Sequence, residues 1–351
     1  MKKILQDLSF QELQTLVLDA GEKAFRAKQL YEGLMQGKKI SEIPVSAALR
    51  ARLLEEYEDE PVRILETFRS KDGTEKYLFL LADGNLIEGV LMKYQYGNTQ
   101  CVSTQVGCRM GCKFCASTLN GLLRNLTAGE ILSQILVVNR AAGGNLKDRA
   151  VTNLVLMGSG EPFDNYENVV KFLRNVTAEG GINVSARNIS LSTCGLVPEM
   201  RKFAKEGIPL NLTVSLHAVT DGERVRTMPV ANKYSIAEIL DACAYYFEKT
   251  GRRYIFEYSL IAGENCDEAH ADALASLMKG RPCHVNLIRL NEVKERELKG
   301  TSDKEAYRFL GILEKHGISA TLRRSMGSDI GGACGQLRAS YIQQGGTKDG
   351  N

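Results

Sequence analysis

The apolar positions of the first sixty residues repeat with the spacing of α-helices. Ser9 is a suitable N-cap for a helix that ends before Gly21. Two more helices are predicted over residues 25–35 and about 46–57. Residues 1–60 are therefore predicted to form a small helical domain. Two interpretations of it remain open, a packing unit or a docking module for a large partner.

From Val62 onward the period of the apolar positions changes to that of β-strands. The predicted strands are 64–70, 75–81 and 86–94. Asp72-Gly73 and Asp83-Gly84 separate them, and Asp-Gly between two alternating segments is a strong hairpin signal. Residues 61–98 are predicted to form a β-meander linker.

After Thr99 apolar, β-branched segments alternate with helical patterns. The predicted strands are 100–105, 154–157, 189–192, 210–215, 254–260, 285–290 and 320–322, and the predicted helices begin at Thr127 or cover 166–175, 199–206, 236–249, 268–279 and 303–316. This alternation predicts an α/β fold, a partial (β/α) barrel over residues 99–342, with a disordered polar tail at 343–351. Functional groups of such barrels lie at the carboxyl ends of the strands.

Composition narrows the class of protein without naming a substrate. The 351 residues are 44% hydrophobic and 25% charged, as in ordinary globular proteins. No apolar run approaches the ~20 residues of a membrane span, and the N-terminus lacks a signal-peptide pattern. Nine cysteines, an odd number with three of them clustered, favour a reducing cytoplasm. The net charge of +3 leaves the partner open, because short basic segments such as Arg323-Arg324 are commonly solvated faces.

Cys108, Cys112 and Cys115 form a C-x3-C-x2-C motif, with Phe114 before the third cysteine. Three thiolates can hold three corners of a [4Fe-4S] cluster and leave its fourth iron open to another molecule. Ferredoxin-type carriers instead use a fourth cysteine. A structural zinc site is the alternative, but it prefers four protein ligands in two close pairs, and no second pair stands nearby.

The cysteine motif is typical of radical S-adenosyl-L-methionine (SAM) enzymes, and the chain around it resembles the RNA adenine methyltransferases of that superfamily. The matching segments are Phe25–Gln29, Cys101–Cys108, Gly121–Thr127, Gly160-Glu161-Pro162, Leu191–Thr193, Ser215–His217, Arg226–Pro229, Asn286–Ile288 and Asp329–Leu337. They cover essentially the whole chain. The resemblance implies methylation of C2 of an adenine in 23S ribosomal RNA and in tRNA, with RNA docking on residues 1–60.

The resemblance also implies how the methyl group travels. C2 of adenine is electron-poor, so it accepts a carbon radical and not an electrophilic methyl group. Cys334 matches the cysteine that first takes a methyl group from SAM and then carries the radical carbon. Glu88 matches the carboxylate that removes the C2 proton, and Cys101 matches the cysteine that resolves the RNA adduct. The implied cofactors are one [4Fe-4S] cluster and two SAM molecules per turnover.

The implied SAM contacts lie at strand exits. They are Gly160, Glu161, Ser192, Ser215, Leu216, His217 and Asn291. Close relatives often carry Pro where this chain has Arg289, and this affects the backbone before Asn291. An electron donor such as flavodoxin or ferredoxin and a monomeric state are further expectations. Cys194, Cys243, Cys266 and Cys283 match no motif and are interpreted as structural thiols.

Three other functions remain open from the sequence. A C8 adenine methyltransferase on the same fold differs only in the carbon it methylates, although Pro162 favours the C2 enzymes. A radical SAM activase or dehydrogenase is disfavoured because it does not require Cys101 and Cys334. A non-catalytic iron–sulfur module that binds RNA is disfavoured by Gly160-Glu161 and by Ser215–His217.

Overall fold

A computed structural model describes residues 2–291, 293 and 295–330. The helices are α1 (Phe10–Asp19), α2 (Ala24–Met35), α3 (Ala47–Glu56), α4 (Ala128–Ala141), α5 (Tyr166–Thr177), α6 (Val197–Phe203), α7 (Asp221–Thr227), α8 (Ile236–Thr250), α9 (Glu268–Met278) and α10 (Asp303–Lys315). The strands are β1 (Val62–Arg69), β2 (Glu75–Leu81), β3 (Leu86–Tyr94), β4 (Gly97–Cys101), β5 (Gln105–Gly107), β6 (Leu122–Asn125), β7 (Asn153–Leu156), β8 (Ile189–Thr193), β9 (Asn211–Ser215), β10 (Tyr254–Leu260), β11 (Cys283–Arg289) and β12 (Ala320–Leu322).

Ten of these strands form one sheet in the order β1-β2-β3-β4-β7-β8-β9-β10-β11-β12. From β4 to β12 every neighbouring pair is parallel, and helices provide the crossovers. In the described part of the chain, β1 and β12 are the edge strands. The predicted α/β fold with a partial barrel is confirmed.

The strands expected to link the two parts of the chain continue the barrel sheet. Strands β1, β2 and β3 pair antiparallel, and β3 pairs antiparallel with β4. The meander therefore adds three strands to one end of the parallel sheet. Its inner face continues that of the barrel.

One predicted strand, 100–105, is divided in the structure into the end of β4 and the start of β5. Ser103 lies between them, where its N–H donates to Gln134 Oε1 at 2.9 Å and its hydroxyl donates to Glu88 O at 2.8 Å. Gln134 of α4 thus accepts the backbone hydrogen bond that a neighbouring strand would otherwise accept. The short hairpin of β5 and β6 then carries the loop with the three clustered cysteines.

The helical domain packs directly on the barrel through α4. Buried side chains of α1, α2 and α3 belong to the same apolar core as those of the barrel. Asp7 accepts a hydrogen bond from Gly129 N at 2.6 Å. A Cβ atom on Gly129 would lie only 2.6 Å from Ile4 Cγ2, so the close approach requires glycine at the start of α4.

No helix in the described part of the chain combines the length and the apolar composition needed to cross a bilayer.

Candidate active site

A cavity of about 290 Å³ opens at the carboxyl edge of the parallel sheet. Its wall contains the three clustered cysteines together with the exits of strands β7 to β11. The predicted SAM contacts that line it are Gly160, Glu161, Ser192, Ser215, His217 and Asn291. Leu216 is not among the lining residues, because its side chain is fully buried in the core. The fold thus joins the cysteine loop and six sequence-distant residues in one pocket.

The cysteine loop is shaped by glycine and by one threonine. Gly107 has a φ of +81°, and a Cβ atom there would lie 2.0 Å from Gly121 O, so the hairpin base requires glycine. Within the loop, the Thr118 hydroxyl donates to Cys112 O at 3.0 Å and to Cys115 O at 2.9 Å. These bonds fix the backbone between the second and third cysteines.

Burial makes the thiols of Cys108 and Cys112 poor thiolates by themselves. It raises the pKa of Cys108 to about 12 and also raises the pKa of Cys112, with further increases from neighbouring cysteines. Buried thiolates become favourable when a metal centre supplies positive charge. These two buried thiols face the same cavity as the half-buried Cys115, and the three together suit a group that brings its own irons.

His217 is held as a neutral hydrogen-bond donor at the cavity wall. Its φ of +57° lies in the left-handed region, which is uncommon for a residue other than glycine. Its Nδ1 accepts a hydrogen bond from Ser259 N at 2.9 Å, so the ring proton is assigned to Nε2. Burial, with a smaller effect of Arg224, lowers the pKa of His217 to about 3. The ring packs edge-on against Phe114, with centroids 4.9 Å apart.

Glu161 is buried and accepts hydrogen bonds from the backbone that follows β7 and β8. Its carboxylate accepts hydrogen bonds from Cys194 N at 2.7 Å and Phe163 N at 3.1 Å. Burial raises the pKa of Glu161, and these bonds oppose that rise. The carboxylate therefore holds the backbone of the cavity wall in place. Its remaining lone pairs are available to accept hydrogen bonds from a ligand in the cavity.

Arg224 is a functional candidate that the sequence did not single out. It is fully buried, and its guanidinium donates to the backbone oxygens of Leu216, Cys194 and Ser215. Burial lowers the pKa of Arg224, whereas Cys194 and Cys112 raise it. Its Nη1 has no acceptor in the described part of the chain. A cation at this place complements an anionic cluster bound by three thiolates.

We expect Arg224→Met to destabilise the fold, since it leaves three buried carbonyl groups without a donor. The expected loss is about 3 kcal/mol in the free energy of unfolding. Urea unfolding of the chain without cluster measures it. Arg226→Met on the same helix, at an exposed position, is the control and should change stability by less than ~0.5 kcal/mol. Equal stability of the two variants would contradict this role for Arg224.

Glu88 and Cys101 lie together on the inner face of the sheet. Cys101 on β4 and Lys76 on β2 both pair with Val90 of β3, and Glu88 precedes Val90 by two residues on the same face. Residues in this diagonal relation are near neighbours. Both Glu88 and Cys101 are buried. Cys334 lies outside the described residues.

Lys76 is a second residue that sequence reasoning missed. Its side chain is fully buried, and its Nζ lies 3.0 Å from Glu88 Oε2. In the sequence Lys76 stands between Glu75 and Tyr77, and nothing there marks it as a buried residue. The informative signal would have been the pairing of β2 with β3, which brings this lysine beside a buried carboxylate.

Comparison with known proteins identifies the class first. The Radical SAM superfamily matches residues 102–274 of this chain. A crystal structure of a radical SAM methyltransferase from Sphaerobacter thermophilus superposes with a TM-score of 0.90 at 41% identity, and the alignment covers 95% of this chain and 98% of that one.

The curated relatives narrow the class to one family. A probable dual-specificity RNA methyltransferase RlmN from Clostridium perfringens (strain SM101 / Type A) is 53% identical, over 99% of this chain and 100% of its own length. The corresponding protein of Lachnoclostridium phytofermentans is 51% identical, over 97% of this chain and 95% of its own. The chain therefore belongs to the RlmN family of dual-specificity RNA methyltransferases within the radical SAM superfamily. Membership implies a [4Fe-4S] cluster and SAM.

Proposed function

We propose that this protein methylates C2 of an adenine in 23S rRNA and in tRNA, through a methyl-cysteine intermediate on Cys334. One observation carries the proposal. A single cavity contains the three cysteines and the strand-exit residues expected to hold SAM, and the inner face of the same barrel carries Glu88 and Cys101. The near-full-length identity to RlmN proteins supports the same activity.

Cys108, Cys112 and Cys115 would hold the cluster, and the strand exits would hold SAM. A bound, reduced cluster would supply one electron for the cleavage of SAM and would accept one electron in return. The neutral His217 ring offers an Nε2–H donor to a polar group of SAM. The buried walls keep water away from reactive carbon centres.

The methyl group would reach the base in two stages. The Cys334 thiolate displaces the methyl group of one SAM, which leaves as S-adenosylhomocysteine. The S-methyl group on Cys334 would then lose one hydrogen atom to a radical derived from a second SAM, and its carbon would add to C2. The adduct would give up one electron to the cluster, and Cys334 would then be joined to the RNA through one carbon.

Release of the RNA would use the two residues on the inner sheet face. The Cys101 thiolate attacks the sulfur of Cys334 and forms a disulfide. The carbon departs with the bonding electron pair and takes a proton to become the methyl group, while Glu88 removes the proton from C2. Lys76, 3.0 Å from Glu88, balances the carboxylate charge in this buried place.

We expect Glu88→Gln to stop formation of methylated RNA by at least about a hundredfold, because a general base contributes 10²–10⁴-fold. The same variant should still transfer the first methyl group to Cys334, because that step needs no base at C2. Peptide mass spectrometry measures the first step and nucleoside mass spectrometry the second. Glu66→Gln on β1 of the same sheet serves as the control. Normal RNA turnover by Glu88→Gln would exclude an obligatory base here.

The position of methylation is tested separately. Anaerobically reconstituted protein is incubated with SAM, a reductant and RNA, and the digested nucleosides are identified. 2-Methyladenosine is expected. 8-Methyladenosine would instead assign the C8 activity to the same site, and the absence of both would overturn the proposed function.

The electron donor and the place of residues 1–60 complete the proposal. A flavodoxin or ferredoxin is proposed to reduce the cluster of a monomeric, cytoplasmic enzyme that uses two SAM molecules per turnover. The helical domain is proposed to dock RNA. Its support is the direct packing of α1 to α3 on the barrel core.

A further inference from the structure

A second cavity, of about 320 Å³, lies inside the barrel at the amino-terminal ends of the strands. Its size is in the range of cavities that hold nucleotide-sized ligands. The strands contribute Met92, Tyr94, Thr99, Asn153, Val155, Ser190, Asn211, Thr213, Ile255 and Asn286. Most of these residues alternate along the strands with core residues, so they face the interior of the barrel. The second cavity thus lies on the inner face that also carries Glu88 and Cys101.

The lining of this second cavity is polar and cationic. Arg187, Arg323 and Arg324 contribute to it, and no carboxylate is found among its described lining residues. Arg323 is paired with Glu257 from deeper in the barrel, at 2.9 Å. Arg187 and Arg324 are exposed, and among the described residues neither has a carboxylate partner within ion-pair distance. Two arginines at the rim of a cavity without acidic groups suit a ligand that carries phosphates.

Two tyrosines form a flat platform at the rim. The rings of Tyr94 and Tyr96 stack with centroids 5.0 Å apart and planes within 7° of parallel. Both tyrosines line the cavity, and the Tyr96 side chain also extends to the surface, where it is 72% exposed. An exposed aromatic face beside arginines is the arrangement on which unpaired bases stack.

The second cavity meets the active-site cavity inside the barrel. Met157 lines both of them. Arg323 lines the second cavity, and its partner Glu257 lines the first. Cys101 pairs with Val155 of the second cavity across β4 and β7. A base that entered between the rim residues would therefore advance toward Cys101 and the active-site cavity.

We propose that the amino-terminal mouth of the barrel admits an unpaired RNA nucleotide, with Tyr96 stacking on a base and Arg187 and Arg324 contacting its phosphates. This inference rests on the proposed function and adds the entry route of its substrate. A duplex base cannot reach a site inside a barrel, so the target nucleotide must be unpaired or turned out of its stack. Charge complementarity and the aromatic platform select single-stranded RNA as the occupant.

The test uses the full chain and a fluorescein-labelled RNA hairpin whose loop contains unpaired adenines, with binding followed by fluorescence anisotropy. We expect Tyr96→Ala to weaken binding about tenfold, since it removes one stacking surface. Arg324→Ala should weaken binding and also lower the slope of log affinity against log salt by about 0.7, the value for one phosphate contact of a single strand. The slope under Tyr96→Ala should stay that of the unmodified chain.

Helix α10 provides matched controls on the outside of the barrel. Tyr307 is 63% exposed and Arg308 is its neighbour, so Tyr307→Ala and Arg308→Ala repeat the two substitutions at a distance from the mouth. These controls should bind RNA as tightly as the unmodified chain. Thermal unfolding of all four variants checks that each is folded.

The outcomes separate the inference from the proposed function. If the unmodified chain binds RNA and Tyr96→Ala, Arg324→Ala and the α10 controls all bind it with the same affinity, the mouth is not the entry site. The proposed function would still stand. Absence of RNA binding by the unmodified chain would overturn both. An unchanged salt slope in Arg324→Ala would overturn the phosphate contact assigned to that residue.

Discussion

Cys112→Ala is expected to lose the iron–sulfur cluster and, with it, all formation of 5′-deoxyadenosine. The motif offers only three thiolates, so each binds one iron of the cluster, and loss of any one thiolate prevents the cluster from being held. Cys112 is buried in a loop whose backbone accepts a hydrogen bond from Thr118. Among the described residues, the other cysteines that line this cavity are Cys108, Cys115 and Cys194. Iron analysis of reconstituted protein should give about four irons per unmodified chain.

Cys283→Ala is the matched control for this variant. Cys283 has nearly the same exposure, 5% against 7% for Cys112, but it begins β11 and contacts Met278. It should keep its iron and its deoxyadenosine production. A Cys112→Ala protein that retains full activity, or an active enzyme that holds zinc and no iron, would contradict the assignment of the cluster ligands.

Cys101→Ala is expected to stall with RNA covalently attached to Cys334. The early steps need only Cys334 and SAM, whereas release needs a second thiolate that attacks the Cys334 sulfur. A disulfide between the two requires Cα atoms within ~7 Å, so Cys334 must reach the inner face of β4 during the reaction. The stalled adduct should appear on a denaturing gel as a slower band that ribonuclease removes.

Cys283→Ala again serves as the control and should show no such band. Double substitution of Cys101 and Cys334 should also abolish the band, since the attachment point is gone. Normal turnover by Cys101→Ala would contradict its role, and so would a Cys101→Ala protein with methylated Cys334 that never forms the adduct.

Much of the fold was predictable because periodicity is a local property. The bounds of β10 and β12 coincide with the predicted segments, and α1, α8 and α9 differ by a residue at most. The cysteine motif and the strand exits could be identified for the same reason, since each is a short contiguous pattern. The cavity that joins them follows from the common direction of parallel strands.

Other features depend on contacts between distant segments. Helix α7 escaped prediction because its seven residues include Gly222 and a single large aliphatic side chain, Val225. Arg224 and Lys76 resemble ordinary surface cations in sequence, and both are fully buried in the fold. Arg224 is buried by its hydrogen bonds to the exits of β8 and β9, and Lys76 is buried by the pairing of β2 with β3.

Transfer of the methyl group through Cys334 is tested most directly by following the methyl hydrogens. The enzyme is incubated in ordinary water with RNA and SAM whose methyl group carries three deuterium atoms, and the methylated adenosine is analysed by mass spectrometry. Transfer through a thiomethylene carbon removes one deuterium to deoxyadenosine and adds one solvent proton. The expected products are therefore a C2 methyl group with two deuterium atoms and one singly deuterated deoxyadenosine. A product that keeps all three deuterium atoms would contradict it.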